Sequence, residues 1–303
     1  MALQGAPRDQ GRPRPVRQAV EDEVLHRVEA NPSTSVRHLA SDVGTSTWAV
    51  HKVLKSHNLH PFKLIKVQDL SPEDFPRRLA FSNWVVEKVQ EEPNFPSVVL
   101  FTDEKGFSRE GTFNHQNNHH WAEQNPHAKH VRGYQRKFHI NVWAGIVGDH
   151  LLGPYPLPAR LNAENYLQFL RQVLPELLEA NLPLPLFFNH WFQQDGCPAH
   201  YGLNVRAYLD QTYPNRWIGR GGPVPWPARS PDLTPLDFYL WGAMEAFVYE
   251  TPVLSEQDLM ARIVMAGEFI RTDPGVFLRV RTEWLRRCRK CVEVEGGHFQ
   301  HLL

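Results

Sequence analysis

Cysteine is scarce in this chain. Its 303 residues include three, Cys197, Cys288 and Cys291, too few for a disulfide framework, so a reducing compartment is expected. No apolar run is long enough to span a bilayer, which argues against a membrane protein. A hydrophobic signal segment is lacking too, because Pro and Arg interrupt the N-terminal stretch throughout. Net charge is absent: 33 Lys and Arg balance 33 Asp and Glu. Bulk basicity therefore cannot carry nucleic-acid binding, and local patches must. There is no internal repeat. What the chain does have is apolar material, 42% hydrophobic and 11% aromatic. That excludes wholesale disorder, and the length allows about two domains.

Residues 1–20 read as a Pro/Arg arm, with Arg8, Arg12, Arg14 and Arg17 against the single acid Asp9. Short helices follow over 21–60. Residues 61–96 read as a linker and a connecting helix. Ser71-Pro72-Glu73-Asp74 opens that helix, with Pro early and acids in the first turn, and it runs to about Gln90. Glu91-Glu92-Pro93-Asn94-Phe95-Pro96 breaks it and marks the domain boundary. Over 97–303 the texture changes. Ser97 to Asp103 is a buried-strand run ending in an acid, and Phe138 to Val147 is a second strand. Gly148-Asp149 turns the chain into a third strand at Leu151-Leu152. Asn162 to Leu178 is helical by the spacing of Tyr166, Phe169, Leu170, Val173, Leu174 and Leu177. Trp191 to Asp195 is another short apolar run ending in an acid, and further helices follow towards the C-terminus. The expected fold class is α+β overall: an all-α N-terminal domain, then an α/β domain with helices against a sheet.

Residues 36–55 have the pattern of a helix-turn-helix. Ala40 is small enough for two helices to approach, Gly44 allows the turn, and Ser46 can cap the second helix. In that helix Ala49, Val50, Val53 and Leu54 form an inward stripe. Thr47, Trp48, His51, Lys52 and Lys55 fall on the other side, which suits a DNA major groove. A helical pair with a solvated basic face fits the same pattern. The preceding Gly11-Arg12-Pro13-Arg14-Pro15 reads as an extended arm whose two guanidiniums suit a narrow minor groove.

Three acids stand out in the second domain. Asp103 and Asp195 end strands, and Asp237 opens a helix. Leu240, Trp241, Met244 and Val248 share a helical face with Asp237, so that face packs on the sheet and the carboxylate points to the sheet's rim. Asp232 and Asp210 do not share this placement. Phosphodiester chemistry explains why separated carboxylates should converge. The transition state carries extra negative charge, and two Mg²⁺ ions roughly 3.5–4 Å apart stabilise the attacking and leaving oxygens. Mg²⁺ takes hard oxygen ligands and keeps several waters, so a few carboxylates suffice. Each acid alone also fits a turn or a helix-start residue.

Thr102-Asp103-Glu104, Gln194-Asp195-Gly196-Cys197-Pro198-Ala199-His200 and the run from Ser230-Pro231-Asp232 to Leu236-Asp237-Phe238 resemble the three acidic signatures of mariner-superfamily DNA transposases. Asn141-Val142-Trp143-Ala144-Gly145-Ile146 and Trp217-Ile218-Gly219-Arg220-Gly221-Gly222-Pro223 resemble arthropod members. The similarity runs from about Gly11 to the C-terminus. It implies an RNase H-like catalytic domain over 97–303 with Asp103, Asp195 and Asp237 as catalytic, metal-binding residues. The implied cofactor is Mg²⁺, with Mn²⁺ as a substitute. Further implications are binding of double-stranded DNA at terminal inverted repeats, cleavage there, attack of the freed 3′-OH on target DNA, and a homodimer on paired ends. A DNA-acting protein of a reducing compartment is expected in the nucleus.

Two departures from the family pattern stand out. Members carry two helix-turn-helix units joined by Gly-Arg-Pro-Arg. Here that linker is Gly11-Arg12-Pro13-Arg14 with ten residues before it, so the first unit is expected to be missing. Cys197 stands where relatives have Ala.

His200 has two readings, beside the scissile phosphate or as a helix cap. Glu104 points to the other side of its strand from Asp103 and reads as support for the site. Cys288 and Cys291 have a zinc-like spacing without a second ligand pair, which argues against zinc. His115, His119 and His120 read as a polar surface loop. The rival functions are a DNA-binding protein without catalysis and a nuclease without strand transfer. Survival of all three aspartates argues against the first, and the helix-turn-helix argues against the second.

Overall fold

The structure is a computed structural model that describes residues 14–62, 67–109 and 138–303, with side chains from residue 18 onward. Arg12 and the histidines at 115–120 lie outside the described residues, as does the side chain of Arg14. The chain forms two compact units, residues 1–66 and 67–303.

The first unit holds three helices: α1 (Arg14–Ala30), α2 (Val36–Val43) and α3 (Thr47–Ser56). Helix α1 starts six residues earlier than the end of the extended arm read from the sequence. Pro15 is the reason: in a first helical turn proline has no needed N–H to lose, and its φ already suits a helix. Val24, Leu39, Ala40 and Val50 make the core, with Val53 and Leu54 against it. Ser35 Oγ accepts the His38 N–H at 3.1 Å and Ser46 Oγ accepts the Ala49 N–H at 3.2 Å, so side chains cap both later helices. Between them Gly44 sits at φ 66°, left-handed backbone that a side chain would strain.

The second unit is built on a six-stranded sheet of order β3-β2-β1-β4-β5-β6. Its strands are β1 (Val99–Ser108), β2 (His139–Val147), β3 (His150–Leu157), β4 (Trp191–Gln193), β5 (Trp217–Gly219) and β6 (Val224–Pro225). The first three pair antiparallel, and β4, β5 and β6 continue from β1 in parallel. This is the arrangement expected of an RNase H-like domain. Strand β1 does not end at Asp103, as its apolar run suggested. Parallel pairing with β4 stops at Phe101, but antiparallel pairing with β2 carries β1 on to Ser108.

Side chains alternate between two cores. Leu100, Trp143, Val147, Leu152, Phe192 and Trp217 meet α6 (Ala163–Gln168), the π-helical turn Phe169–Val173, α7 (Leu174–Asn181) and α9 (Leu203–Thr212). The short α8 (Leu184–Asn189) precedes β4. On the other face Phe101, Val142, Ala144, Ile146 and Ile218 meet α4 (Asp74–Glu91), α5 (Phe95–Val98), α10 (Trp241–Val248), α11 (Glu256–Thr272) and α12 (Val276–Glu293). Helices thus cover both faces, as the parallel strands require.

Helix α4, read from the sequence as a connector, belongs to this second core through Phe81 and Val85, as does Phe95 in the break that follows it. Pro93 and Pro96 do turn the chain, but the apolar residues on either side of the turn pack into one core.

Candidate active site

The register of three parallel strands sets the site. Phe101 pairs with Gln193, and Gln193 with Ile218. Asp103 and Asp195 are each two residues past that row, so the point where β1 leaves its parallel partner and β4 ends brings them to one rim. Thr102 Oγ1 donates to the Gln193 carbonyl at 2.6 Å, which ties the two strands just before the acids.

Asp237 arrives from the helical side. It lies in the π-helical turn Leu236–Leu240, which runs into α10. Leu240, Trp241, Met244 and Val248 are all buried, as the helical spacing required. Trp241, four residues on, donates its indole N–H to Asp103 Oδ2 at 2.7 Å. The Asp237 helix is therefore pinned to the strand that carries Asp103. The sequence shows Trp241 as an inward apolar residue; its hydrogen bond to Asp103 emerges from the structure.

The electrostatics follow from this crowding. Burial, then the charges of Asp237 and Glu104, push the Asp103 carboxyl well above its ordinary value, against the Trp241 hydrogen bond. Asp237 opens to solvent, but the protein packed around it and the Asp195 charge push it up to about 6, with Lys105 opposing. Asp195 behaves differently. Its partial burial acts to raise it, but the bond to His200 and the His200 charge hold it below its ordinary value.

His200 links two acids. It is 1% exposed, with Nδ1 2.7 Å from Asp195 Oδ1 and Nε2 3.1 Å from Glu104 Oε2. Burial favours the neutral ring, yet the Glu104 and Asp195 carboxylates overturn that and hold His200 well above its usual value. Glu104 does project to the opposite face of β1 from Asp103, and there it reaches His200. The backbone N–H of Cys197 also donates to Asp195 Oδ1, at 2.9 Å.

Ligand-type atoms of Asp195, Cys197 and His200 all lie within 4.8 Å of one another. Both His200 nitrogens already face carboxylates, so this trio reads as a clamp on Asp195. Among the described residues no group containing all three aspartates is that tight. Their influence on one another is through space, and bare carboxylates repel.

Asp232, set aside in the sequence, has a structural partner. Arg78 of α4 grips it with two bonds of 2.7 Å, and both side chains are buried. Arg78 also donates to the Ser230 hydroxyl and the Gly296 carbonyl, at 2.9 and 2.8 Å. A signal for this existed: Arg78 sits in phase with Asp74, Phe81, Ser82 and Val85, the buried stripe of α4.

In the first unit, Thr47, Trp48, His51, Lys52 and Lys55 all stand exposed on α3, as their spacing required. Trp48 is 70% exposed, with the Lys52 ammonium 5.1 Å from its ring. Among the described residues, neither Lys52 nor Lys55 has an acidic partner. If α3 lies on DNA, as its sequence pattern predicts, Lys52→Ala weakens that binding and makes its salt dependence shallower by about one unit of log–log slope, the effect of removing one cation from a phosphate. Titration by fluorescence anisotropy at stepped salt checks this, and an unchanged slope removes Lys52 from the interface.

No family model matches the chain. Human histone-lysine N-methyltransferase SETMAR is 22% identical over 291 residues, covering 92% of this chain. The chain spans 39% of that relative's length. Among solved structures, the Mos1 transposase paired-end complex with left transposon end superposes with a TM-score of 0.74 at 18% identity, over 99% of this chain and 83% of that one. The Mos1 strand transfer complex gives 0.68 at 19%, over 99% and 82%. The catalytic domain of Mos1 mariner transposase gives 0.58 at 20%, over 78% of this chain and all of that one. At these identities the likeness is one of fold. This chain has the fold of these Mos1 structures, a helical N-terminal unit and an RNase H-like unit, as the motif resemblance implied.

Proposed function

We propose that the chain is a mariner-type DNA transposase, or a protein descended from one. It binds terminal inverted repeats through α3 and catalyses Mg²⁺-dependent DNA cleavage and strand transfer. The observation that carries this reading is that Asp103 and Asp195 each follow the paired Phe101 and Gln193 by two residues, while Trp241 ties the helix of Asp237 to Asp103 and the Asp195 charge is felt at Asp237. Support comes from the shared fold, since Mos1 was solved with a transposon end, with Mn and with Mg.

Asp103, Asp195 and Asp237 are the residues that would hold the metal. They fit it: their donors are hard oxygens, and the acids are near enough that Asp237 raises Asp103 and Asp195 raises Asp237, beyond the larger effect of burial. Bound there, Mg²⁺ supplies electrostatic stabilisation of the attacking and leaving oxygens. The chain's own residues do the positioning. Trp241 orients Asp103, His200 with Glu104 holds Asp195, and the π-helical turn presents Asp237. The protein acts in the nucleus, as a homodimer on paired ends.

The test uses the full chain and duplexes carrying the inverted repeats that flank its gene. Strand cleavage is expected with Mg²⁺ or Mn²⁺ and none with EDTA. The Mg²⁺ needed for half-maximal cleavage should rise as pH falls through about 6, because protons then compete for Asp237. Tight DNA binding without cleavage at any pH or metal concentration would reduce the protein to a DNA binder.

A further inference from the structure

The chain leaves β5 next to the end of β4 that precedes Asp195. Gln193 of β4 pairs with Ile218 of β5, and Arg220 is the first residue of the turn that follows β5. Arg220 is exposed, and its guanidinium lies 4.3 Å from the ring centroid of Tyr201. A second guanidinium, that of Arg206 on α9, lies 4.4 Å from the same centroid. Tyr201 directly follows His200 and is 40% exposed. Two cations therefore share one half-open ring beside the acidic rim.

Among the described residues, neither arginine has an acidic partner, and Arg206 Nε is shut from solvent without a hydrogen-bond acceptor. Like charges held together without a counter-ion raise the energy of the free protein and are relieved by an anion. Two local features add to this. Helix α9, ten residues long, starts beside the ring, and its N-cap Gly202 supplies no side-chain acceptor. Gly221 sits at φ +79°, and a Cβ there would stand 3.0 Å from the Tyr201 ring and 3.1 Å from the Arg206 side chain. The backbone is thus kept close to the cluster by a residue with no side chain.

The acidic rim poses a physical problem that this cluster answers. A phosphodiester approaching three carboxylates is repelled unless cations stand next to them. We propose that Tyr201, Arg206 and Arg220 form a phosphodiester clamp that holds a DNA strand across the strand ends beside Asp195. The proposal rests on the DNA-acting reading above. Guanidiniums suit the role, because they grip phosphate oxygens in a fork while stacking on an aromatic face.

The experiment compares full-length wild type with Arg206→Gln/Arg220→Gln and with Arg206→Lys/Arg220→Lys. Binding to a short duplex is followed at stepped NaCl, alongside Mg²⁺-dependent cleavage. Without either guanidinium on a phosphate, the glutamine variant should show a log–log salt slope shallower by about two units and slower cleavage at subsaturating DNA. The lysine variant keeps the charge and should recover most of the slope, both variants melting at the wild-type temperature. A glutamine variant with wild-type slope and cleavage overturns the clamp while the DNA-acting reading stands. Equal losses in both variants, with lowered melting, also overturn it in favour of a packing role. A wild type that neither binds nor cuts DNA overturns both.

Discussion

Asp195→Asn is expected to cut Mg²⁺-dependent DNA cleavage by at least about 10²–10³-fold, the scale of losing one preorganised group that stabilises developing charge. DNA binding should stay nearly intact. The substitution is close to isosteric. The new amide oxygen can still accept the Cys197 N–H that now meets Asp195 Oδ1 at 2.9 Å, so the loop after β4 keeps its shape. His200 keeps Glu104 at 3.1 Å. What goes is one negative charge at the strand end, the one Asp195 would bring to a divalent cation. Cleavage assays paired with anisotropy titrations separate the two effects. Equal cleavage by wild type and variant would remove Asp195 from the chemistry and with it the three-carboxylate scheme.

Arg78→Met should cost about 3–5 kcal/mol of stability, because it strands the buried Asp232 carboxylate without its cation. Arg78 is 1% exposed and its two short bonds are to Asp232, whose side chain is 5% exposed. The same change frees the Ser230 hydroxyl and the Gly296 carbonyl. The double replacement Arg78→Met/Asp232→Leu removes both charges and should recover most of that loss, since well-packed apolar residues often match a buried ion pair. Denaturant unfolding of the full chain measures both. A cost below about 1 kcal/mol for the single change would show that water reaches the pair after all. Asp232 lies in the same turn-rich segment as Asp237, so the single variant should also cut more slowly, through a displaced helix start.

Much of this was legible in the residues. The apolar runs at Val99–Phe101 and Trp191–Gln193, each followed within two residues by an acid, identified two buried strand segments and two candidate ligands. The phase of Leu240, Trp241, Met244 and Val248 aimed Asp237 at the sheet. On α3, the spacing of apolar and basic residues separated a core face from an exposed basic face. These are local signals, carried by spacing along one element. The misreadings were local as well. An apolar run says where a strand is buried but not where its pairing stops, and β1 continues to Ser108 because β2 accompanies it. Prolines marked turns at 93 and 96, yet a turn does not separate cores. Pro15 read as extended chain and sits in a helix.

What the sequence determined by itself was the type of the longer elements and the inward face of α3 and α10, because these follow from side-chain periodicity; short motifs singled out the three carboxylates. The tertiary structure decided the partnerships: Arg78 with Asp232, His200 between Glu104 and Asp195, Trp241 on Asp103, and Arg220 on Tyr201. Each joins residues from different elements. Their proximity depends on strand order and register, which arise from burying two faces of one sheet at once, and no stretch of chain carries that information alone.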